Sequence, residues 1–453
     1  MVVLTGLLAL AAVVSAAVWP PGAPRIDPRP NIIVIVTDDQ PYDSLPHDPP
    51  IMPFLQTQLG DPEEHWIWFP NAFVEVPLCC PSRSTVFTGR TSAHTGVRSN
   101  EDGHLFDDSS TIATWLDDAG YHTGLVGKYL NGYPFGFHPF VPPGWDVWAG
   151  KRQGSSESLY HDFTVIRSGM PMSYAGKAYS TDVFTQLALE FLRTAPVEDP
   201  FFLYFALTAP HPPWIPPERD AHAFEDMPIE ESPAVTEDVS DKPAWVRSLP
   251  PLADEQRAEA IEDRRHAYQS LVGVDDSVHA IVDMLKARGV LEHTVIVLFT
   301  DNGYSFGEHR WERKSCPYEA CVRTPFAVRM PGATARTEPG VVSLLGVAST
   351  LADLAEVEPA GPVDGRSFAS VLRSEPDATG LGPAFVEFEG DATIPAWWEI
   401  RTSDFAYVEY ATGERELYDM QIDPYQLENV VSDPAYADTV ARLASALLPL
   451  RTG

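Results

Sequence analysis

The chain has 453 residues, 44% hydrophobic and 11% aromatic, enough to bury a large core in one large domain with a smaller one beside it and too apolar for a disordered or fibrous protein. With 64 Asp plus Glu against 31 Lys plus Arg, the formal net charge is −33, which excludes nucleic acid and an anionic membrane surface as general partners. Four cysteines are too few for a disulfide-built scaffold, and the adjacent Cys79 and Cys80 are poorly placed to bridge each other.

Residues 1–17, MVVLTGLLALAAVVSAA, are apolar and end in small residues, with Val14-Ser15-Ala16 resembling a small-x-small cleavage pattern. They read as a cleaved secretory signal. A stable membrane anchor needs about 20 apolar residues, and here Pro20, Pro21 and Pro24 follow closely. No Lys or Arg precedes Arg25, so the usual basic start is reduced to the amino terminus. No later segment is long and apolar enough to span a bilayer, so the processed protein is expected outside the cytoplasm, secreted or periplasmic.

Four short apolar runs follow: NIIVIV (31–36), HTGLVG (122–127), FFLYFAL (201–207) and TVIVLF (294–299). Their near-continuous apolar character predicts strands covered on both faces. Helical patterns lie between them at 111–120, 180–194 and 265–289, the last ending at Gly289. This alternation predicts an α/β sandwich with a mostly parallel central sheet. Residues 212–256 are rich in Pro, Asp and Glu without periodicity and read as a surface loop near the site. The large domain is placed at 30–345. Residues 346–453 read as a small C-terminal domain with an antiparallel sheet, Ala411-Thr412-Gly413 making a hairpin turn.

In open α/β sheets ligands bind beyond the carboxyl ends of the strands. Each run here ends in chemistry: Asp38-Asp39, Lys128, His211 and Asp301-Asn302-Gly303. Any one pair is readily explained as a loop cap. Three carboxylates and an amide at adjacent strand ends are different, because like charges repel unless a cation or proton intervenes. All-oxygen ligands select calcium or, less favoured, magnesium, and no zinc spacing is present. In VPLCCPSRSTVFTGR (76–90), Pro81 suits a first helical position and Gly89 a helix end, which puts Cys79 at a helix N-terminus. That end favours an oxyanion, and Arg83 one turn in adds a charge-assisted contact. On composition alone, a buried structural cysteine pair is the simpler reading.

Cys79-Cys80-Pro81-Ser82-Arg83, followed by Thr88-Gly89, resembles the sulfatase signature C-x-P-S-R-x-x-x-x-T-G, whose first cysteine is oxidised to formylglycine by a formylglycine-generating enzyme. The likeness runs from about Pro30 to Asn429 and implies an alkaline-phosphatase-like fold. It implies metal ligands at Asp38, Asp39, Asp301 and Asn302, with the converted Cys79 as a further ligand. It implies sulfate contacts from Lys128 in GKYLNGY, His211 in APHPPW and Lys314, four residues before Tyr318-Glu319. Many sulfatases have a histidine two residues after the lysine. Here that position is Leu130, and the next residue, Asn131, is the candidate substitute. The glycine pair that usually follows Tyr-Glu is Ala320-Cys321 here, beside Lys314. The doubled cysteine, PPGWDVW (142–148) and DPYQLENV resemble the branch of N-acetylglucosamine-6-sulfatases and heparan 6-O-endosulfatases.

The resemblance implies that hydrated formylglycine attacks sulfur with Asp301 as base and Arg83 holding the hydrate. Lys128 and Lys314 clamp sulfate oxygens, His211 or a lysine protonates the alcohol, and the second hydroxyl then expels sulfate. The charge of −33 disfavours a long heparan chain, so the expected activity is exo-acting, on a terminal 6-sulfated N-acetylglucosamine-type sugar or a small sulfate ester. Competing readings are a phosphate or phosphonate monoester hydrolase of the same fold, an exported calcium- or sugar-binding protein, and a thiol hydrolase using Cys79 with His211. Cys316 and Cys321 are left open between a local disulfide and free packed thiols. His94 is expected to hydrogen-bond structurally, and Trp145, Trp148, Trp214 and Trp311 to be either a sugar platform or core.

Overall fold

Strand β1 (Asn31–Thr37) is the middle of the architecture and is buried at all seven positions. Alternate residues feed opposite layers: Ile32, Val34 and Val36 pack into one apolar cluster, Ile33 and Ile35 into another. This is why the run reads as continuously apolar. The protein is described here by a computed structural model covering residues 27–136 and 140–452; the secretory-signal reading of 1–17 lies outside the described residues.

Along the chain, β1 is followed by helix α1 (Cys79–Thr88), β2 (His122–Gly127), β3 (Val147–Lys151), α2 (Ser180–Thr194), β4 (Phe201–Ala206), α3 (Asp254–Arg288), β5 (Thr294–Thr300) and β6 (Phe326–Arg329). In the ten-stranded sheet these strands stand in the order β6-β5-β1-β4-β2-β3. The pairs β5·β1, β1·β4, β4·β2 and β2·β3 are parallel, and β6 joins β5 antiparallel. Val183, Phe184, Leu271 and Val278 of α2 and α3 cover one face, while α1 and the helix Val347–Leu354 cover the other. The fold is α/β with a mostly parallel central sheet.

A second sheet of four antiparallel strands follows: β7 (Ala384–Phe388), β8 (Trp397–Arg401), β9 (Phe405–Tyr410) and β10 (Arg415–Asp419). Gly413, at φ 86°, makes the turn between β9 and β10. Helix α4 (Ala437–Thr452) closes over it through Leu443 and Leu447, which join Phe385, Ile400, Tyr407 and Leu417.

Two stretches differ from the sequence reading. Helix α3 starts at Asp254, not 265, capped by the side chain of Gln256, which accepts from the Ala253 amide at 3.0 Å. Its first eleven residues are polar and largely exposed, so they carry no apolar period, yet Asp254 and Glu255 suit a helix start electrostatically. The 212–256 stretch therefore ends inside α3 and is more than surface: Trp245 and Val246 are buried, and Lys242 is fully so.

Candidate active site

Parallel pairing sets Thr37 opposite Thr300, so the residues just beyond, Asp38-Asp39 and Asp301-Asn302, meet side by side at the carboxyl ends of β1 and β5. All four are buried. The Asn302 amide donates to Asp39 Oδ1 at 2.7 Å, and the Asp39 backbone N–H reaches Asp301 Oδ1 at 3.3 Å. Gly303 continues the turn because a Cβ there would lie 2.1 Å from the Ala320 carbonyl oxygen; its N–H donates to Cys321 at 3.0 Å. That close approach presses the 314–321 segment against the strand end.

Cys79 opens α1, after an extended Leu78; the helix ends at Gly89 (φ 66°), whose N–H donates to Thr85 at 2.8 Å. Pro81 is the third residue of the helix, not the first, and there too a missing N–H costs nothing. Every residue of α1 is buried, including Arg83. The Cys79 sulfur lies 3.5 Å from Asp38 Oδ1, 4.0 Å from Asp39 Oδ1 and 2.8 Å from Lys314 Nζ.

Three cations face the three carboxylates. Arg83 Nε donates to Asp301 at 2.7 Å and its Nη1 to the Lys128 carbonyl at 2.9 Å. Lys128 Nζ pairs with Asp38 at 2.6 Å. Gly127 lets the chain turn there: its φ is +107°, and a Cβ would stand 1.8 Å from the Ala206 carbonyl oxygen. Lys314 Nζ pairs with Asp39 at 2.6 Å, and its backbone is held by the Trp311 indole N–H on its carbonyl at 2.7 Å and by the Trp397 indole on the next carbonyl at 2.9 Å. His211 Nε2 lies 3.5 Å from Asp39 Oδ2. Its Nδ1 sits 2.6 Å from the Pro212 carbonyl, which can only accept, so Nδ1 carries the proton.

Burial would raise the Asp38 carboxyl, but Lys128, His211, Arg83 and Lys314 outweigh it and hold it well below the usual range. Asp301 goes the other way: burial and the neighbouring Asp38 charge push it to about 6 despite Arg83 and Lys128. Burial lowers Lys128 and Lys314, and their carboxylates more than compensate, so both stay charged. Burial also lowers His211, leaving it neutral at pH 7. Burial pushes the Cys79 thiol up to about 12.

The donor set fits a hard divalent cation. Asp39 Oδ2 and Asn302 Oδ1 are buried acceptors without any hydrogen-bond donor, a costly state that oxygen ligation would relieve. Asp38, Asp39, Cys79 and His211 offer ligand atoms all within 4.8 Å of one another. Nine of the ten expected residues thus converge. The tenth, Asn131, lines an adjoining cavity of about 200 Å³ with Lys128 and His211, its Oδ1 buried and unpartnered.

Other expectations resolve locally. Cys316 and Cys321 form a disulfide flanking the Lys314 segment. His94 is exposed and bonds Asp364 at 2.7 Å. Trp148 is core, donating to the Tyr133 hydroxyl at 2.7 Å, and Trp145 packs on Phe202; Trp311 packs edge-on against Trp245. Trp214 is half-buried against Tyr304 and Phe306. Sequence reasoning missed Lys151, the last residue of β3, a strand without an apolar run to announce it. It also missed Trp397 and Tyr160, whose hydroxyl bonds the His211 carbonyl; neither has a local signal.

The sulfatase family profile matches residues 30–357, and a profile for the C-terminal part of N-sulphoglucosamine sulphohydrolase matches 307–453. An arylsulfatase of Volvox carteri is 30% identical over 89% of this chain and 71% of its own length. An N-acetylglucosamine-6-sulfatase of Capra hircus is 26% identical over 90% of this chain and 81% of its own. A solved structure described in complex with its substrate D-glucosamine-2-N,6-O-disulfate superposes with a TM-score of 0.81 at 23% identity, covering 94% of this chain and 98% of that one. With the signature cysteine at the start of α1 and the acidic pairs at the ends of β1 and β5, these matches establish that the chain belongs to the sulfatase family and is a sulfuric ester hydrolase.

Proposed function

We propose that the protein is an exo-acting, calcium-dependent sulfatase that removes sulfate from a terminal 6-sulfated N-acetylglucosamine-type sugar, using formylglycine made from Cys79 by a formylglycine-generating enzyme. The observation that carries this reading is the meeting of Cys79, at a helix start, with two orphaned oxygen acceptors and two lysines. The name of the Capra hircus relative and the sugar bound in the solved neighbour support the substrate class. The net charge supports exo action, since a long polyanion meets repulsion screened only over about 8–10 Å in physiological salt. A disulfide supports an extracytoplasmic compartment, and among the described residues no helix is long and apolar enough to cross a membrane.

Bound calcium and the converted Cys79 supply a Lewis acid and an oxygen nucleophile. The rest is done by side chains of this chain. Lys128, fixed by Asp38, and Lys314, fixed by Asp39, present ammonium groups to sulfate oxygens, and such preorganised charge stabilises the transition state. Asp301, anchored by Arg83 at 2.7 Å, is the carboxylate that would take a proton from the nucleophile. The Pro212 contact fixes the His211 tautomer, leaving Nε2 as the atom that takes up a proton and passes it to the departing alcohol. Asn131 is the proposed contact to the sulfate or leaving group, a role supported by its lining a cavity together with Lys128 and His211.

The test is release of inorganic sulfate from 6-sulfated N-acetylglucosamine, compared with phosphate release from an aryl phosphate. Multiple turnovers on the sulfate ester and little on the phosphate are expected, with Cys79→Ser slower by at least ~10³-fold. Undiminished multiple turnover by Cys79→Ser would contradict the assignment.

A further inference from the structure

Strands β2 and β3 pair in parallel with Gly127 opposite Gly150, so Lys128 and Lys151, one residue further along each, lie side by side. Both are buried, at 9% and 6% exposure. Lys128 has Asp38 as its counter-ion, but among the described residues no carboxylate pairs with Lys151: its ammonium donates only to the Arg152 carbonyl, at 3.3 Å. A buried ammonium beside a second one is costly without an anion. Burial and Lys128 lower it to about 8, which leaves it mostly charged at pH 7.

Both lysines line the cavity of about 200 Å³ that also holds His211, Asn131, Arg152 and Ser156, and no carboxylate lines it. In a chain with 64 acidic residues that exclusion is informative. By contrast, a cavity of about 450 Å³ elsewhere is lined by Asp43, Asp48, Glu230, Glu231, Glu308 and Glu319. Asn131 also lines the lysine cavity, and its buried Oδ1 has no hydrogen-bond partner. The cavity is thus a donor-lined pocket with an uncommitted cation, sharing Lys128 and His211 with the sulfate centre.

We infer that this pocket binds a second anionic substituent of the substrate, a sulfate or carboxylate, with Lys151 as its principal counter-ion and Arg152 at the rim. The inference rests on the sulfatase reading only for which sugar carries the substituent. A substrate with two negative groups would complete the charge pairing that the fold leaves open at Lys151, and a singly charged one would not.

The test is equilibrium binding by calorimetry to calcium-loaded full-length Cys79→Ala protein, which removes turnover from the measurement. Three sugars are compared: 6-sulfated N-acetylglucosamine, the same ring with N-sulfate in place of N-acetyl, and the 6-sulfated sugar linked to a uronate. One doubly charged sugar should bind about 10- to 100-fold tighter than the singly charged one, the range of a charge-assisted contact, and which one gains identifies the group. Lys151→Met should erase this preference and Lys151→Arg should keep most of it. Arg152→Ala, exposed and outside the core, should reduce it by a smaller factor. Equal binding of all three sugars, or a preference that survives Lys151→Met, would overturn the inference. Failure of the Cys79 protein to release sulfate from any of them would instead strike at the proposed activity and leave the binding ratio standing.

Discussion

Two buried carboxylate clusters in this molecule have opposite character. Glu416, fully buried in the C-terminal sheet, accepts the hydroxyls of Tyr318 at 3.1 Å and Tyr418 at 2.5 Å on one oxygen and that of Tyr410 at 2.6 Å on the other. Burial raises its carboxyl, and the hydroxyls of Tyr410 and Tyr418 with Lys242 offset only part of that rise. At the ends of β1 and β5, three carboxylates stand together with Asp39 Oδ2 and Asn302 Oδ1 lacking donors. The first cluster is closed and can only hold structure. The second leaves acceptors open, which marks it as a place where something else binds. Burial and acidity are common to both; they differ in that the Glu416 oxygens are closed by three hydroxyls, whereas the open acceptors at the strand ends stand beside Cys79 and three cations.

The comparison breaks first, and most severely, at Asp39. Asp39→Asn should lower sulfate release by ~10²-fold or more and abolish the thermal stabilisation given by calcium. In the unsubstituted protein, calcium at about 100 times its dissociation constant should add about 2.7 kcal/mol, seen as a rise in Tm that a chelator reverses. Next comes Glu416→Leu, which strands three tyrosine hydroxyls and should cost about 2–4 kcal/mol of stability in denaturant unfolding. Its calcium-induced rise in Tm should match that of the unsubstituted protein; loss of that rise would show that the two clusters are one system.

The smallest effect is expected at a third carboxylate of intermediate kind. Asp275 accepts the Phe54 and Leu55 amides at 2.7 and 2.9 Å, where a short helix starts, but has no counter-ion among the described residues. Burial raises it from 3.8 to about 6. The native state therefore binds this proton more tightly than the unfolded chain, so stability falls as pH rises between those values and levels off above. The span corresponds to ~3 kcal/mol at most. Asp275→Asn should flatten that stretch of the stability profile; an unchanged slope would refute the raised value.

What the sequence disclosed follows from how each element is buried. β1, β2, β4 and β5 are covered on both faces and so are spelled as apolar runs, and the residues that end them were legible as strand-end chemistry. Lys314 was legible only through its motif, because its neighbours form two-residue strands and its place is set by Trp311 and by Trp397 from the other sheet. The start of α3 was hidden because its inward residues there are the small Ala260 and the charged Arg264, the latter paired with Asp43 at 2.9 Å and Glu308 at 2.6 Å. Lys151 was passed over because β3, with Trp148 and Gly150 in five residues, does not read as a strand.

The most direct test of the central claim is the mass of the peptide containing Cys79 from protein exported by its own host. An aldehyde in place of the thiol is the predicted result, placing the converted side chain between Lys314 and the acidic pairs. An intact thiol throughout, in protein that still turns over sulfate esters, would contradict the account, because turnover would then not depend on the converted side chain.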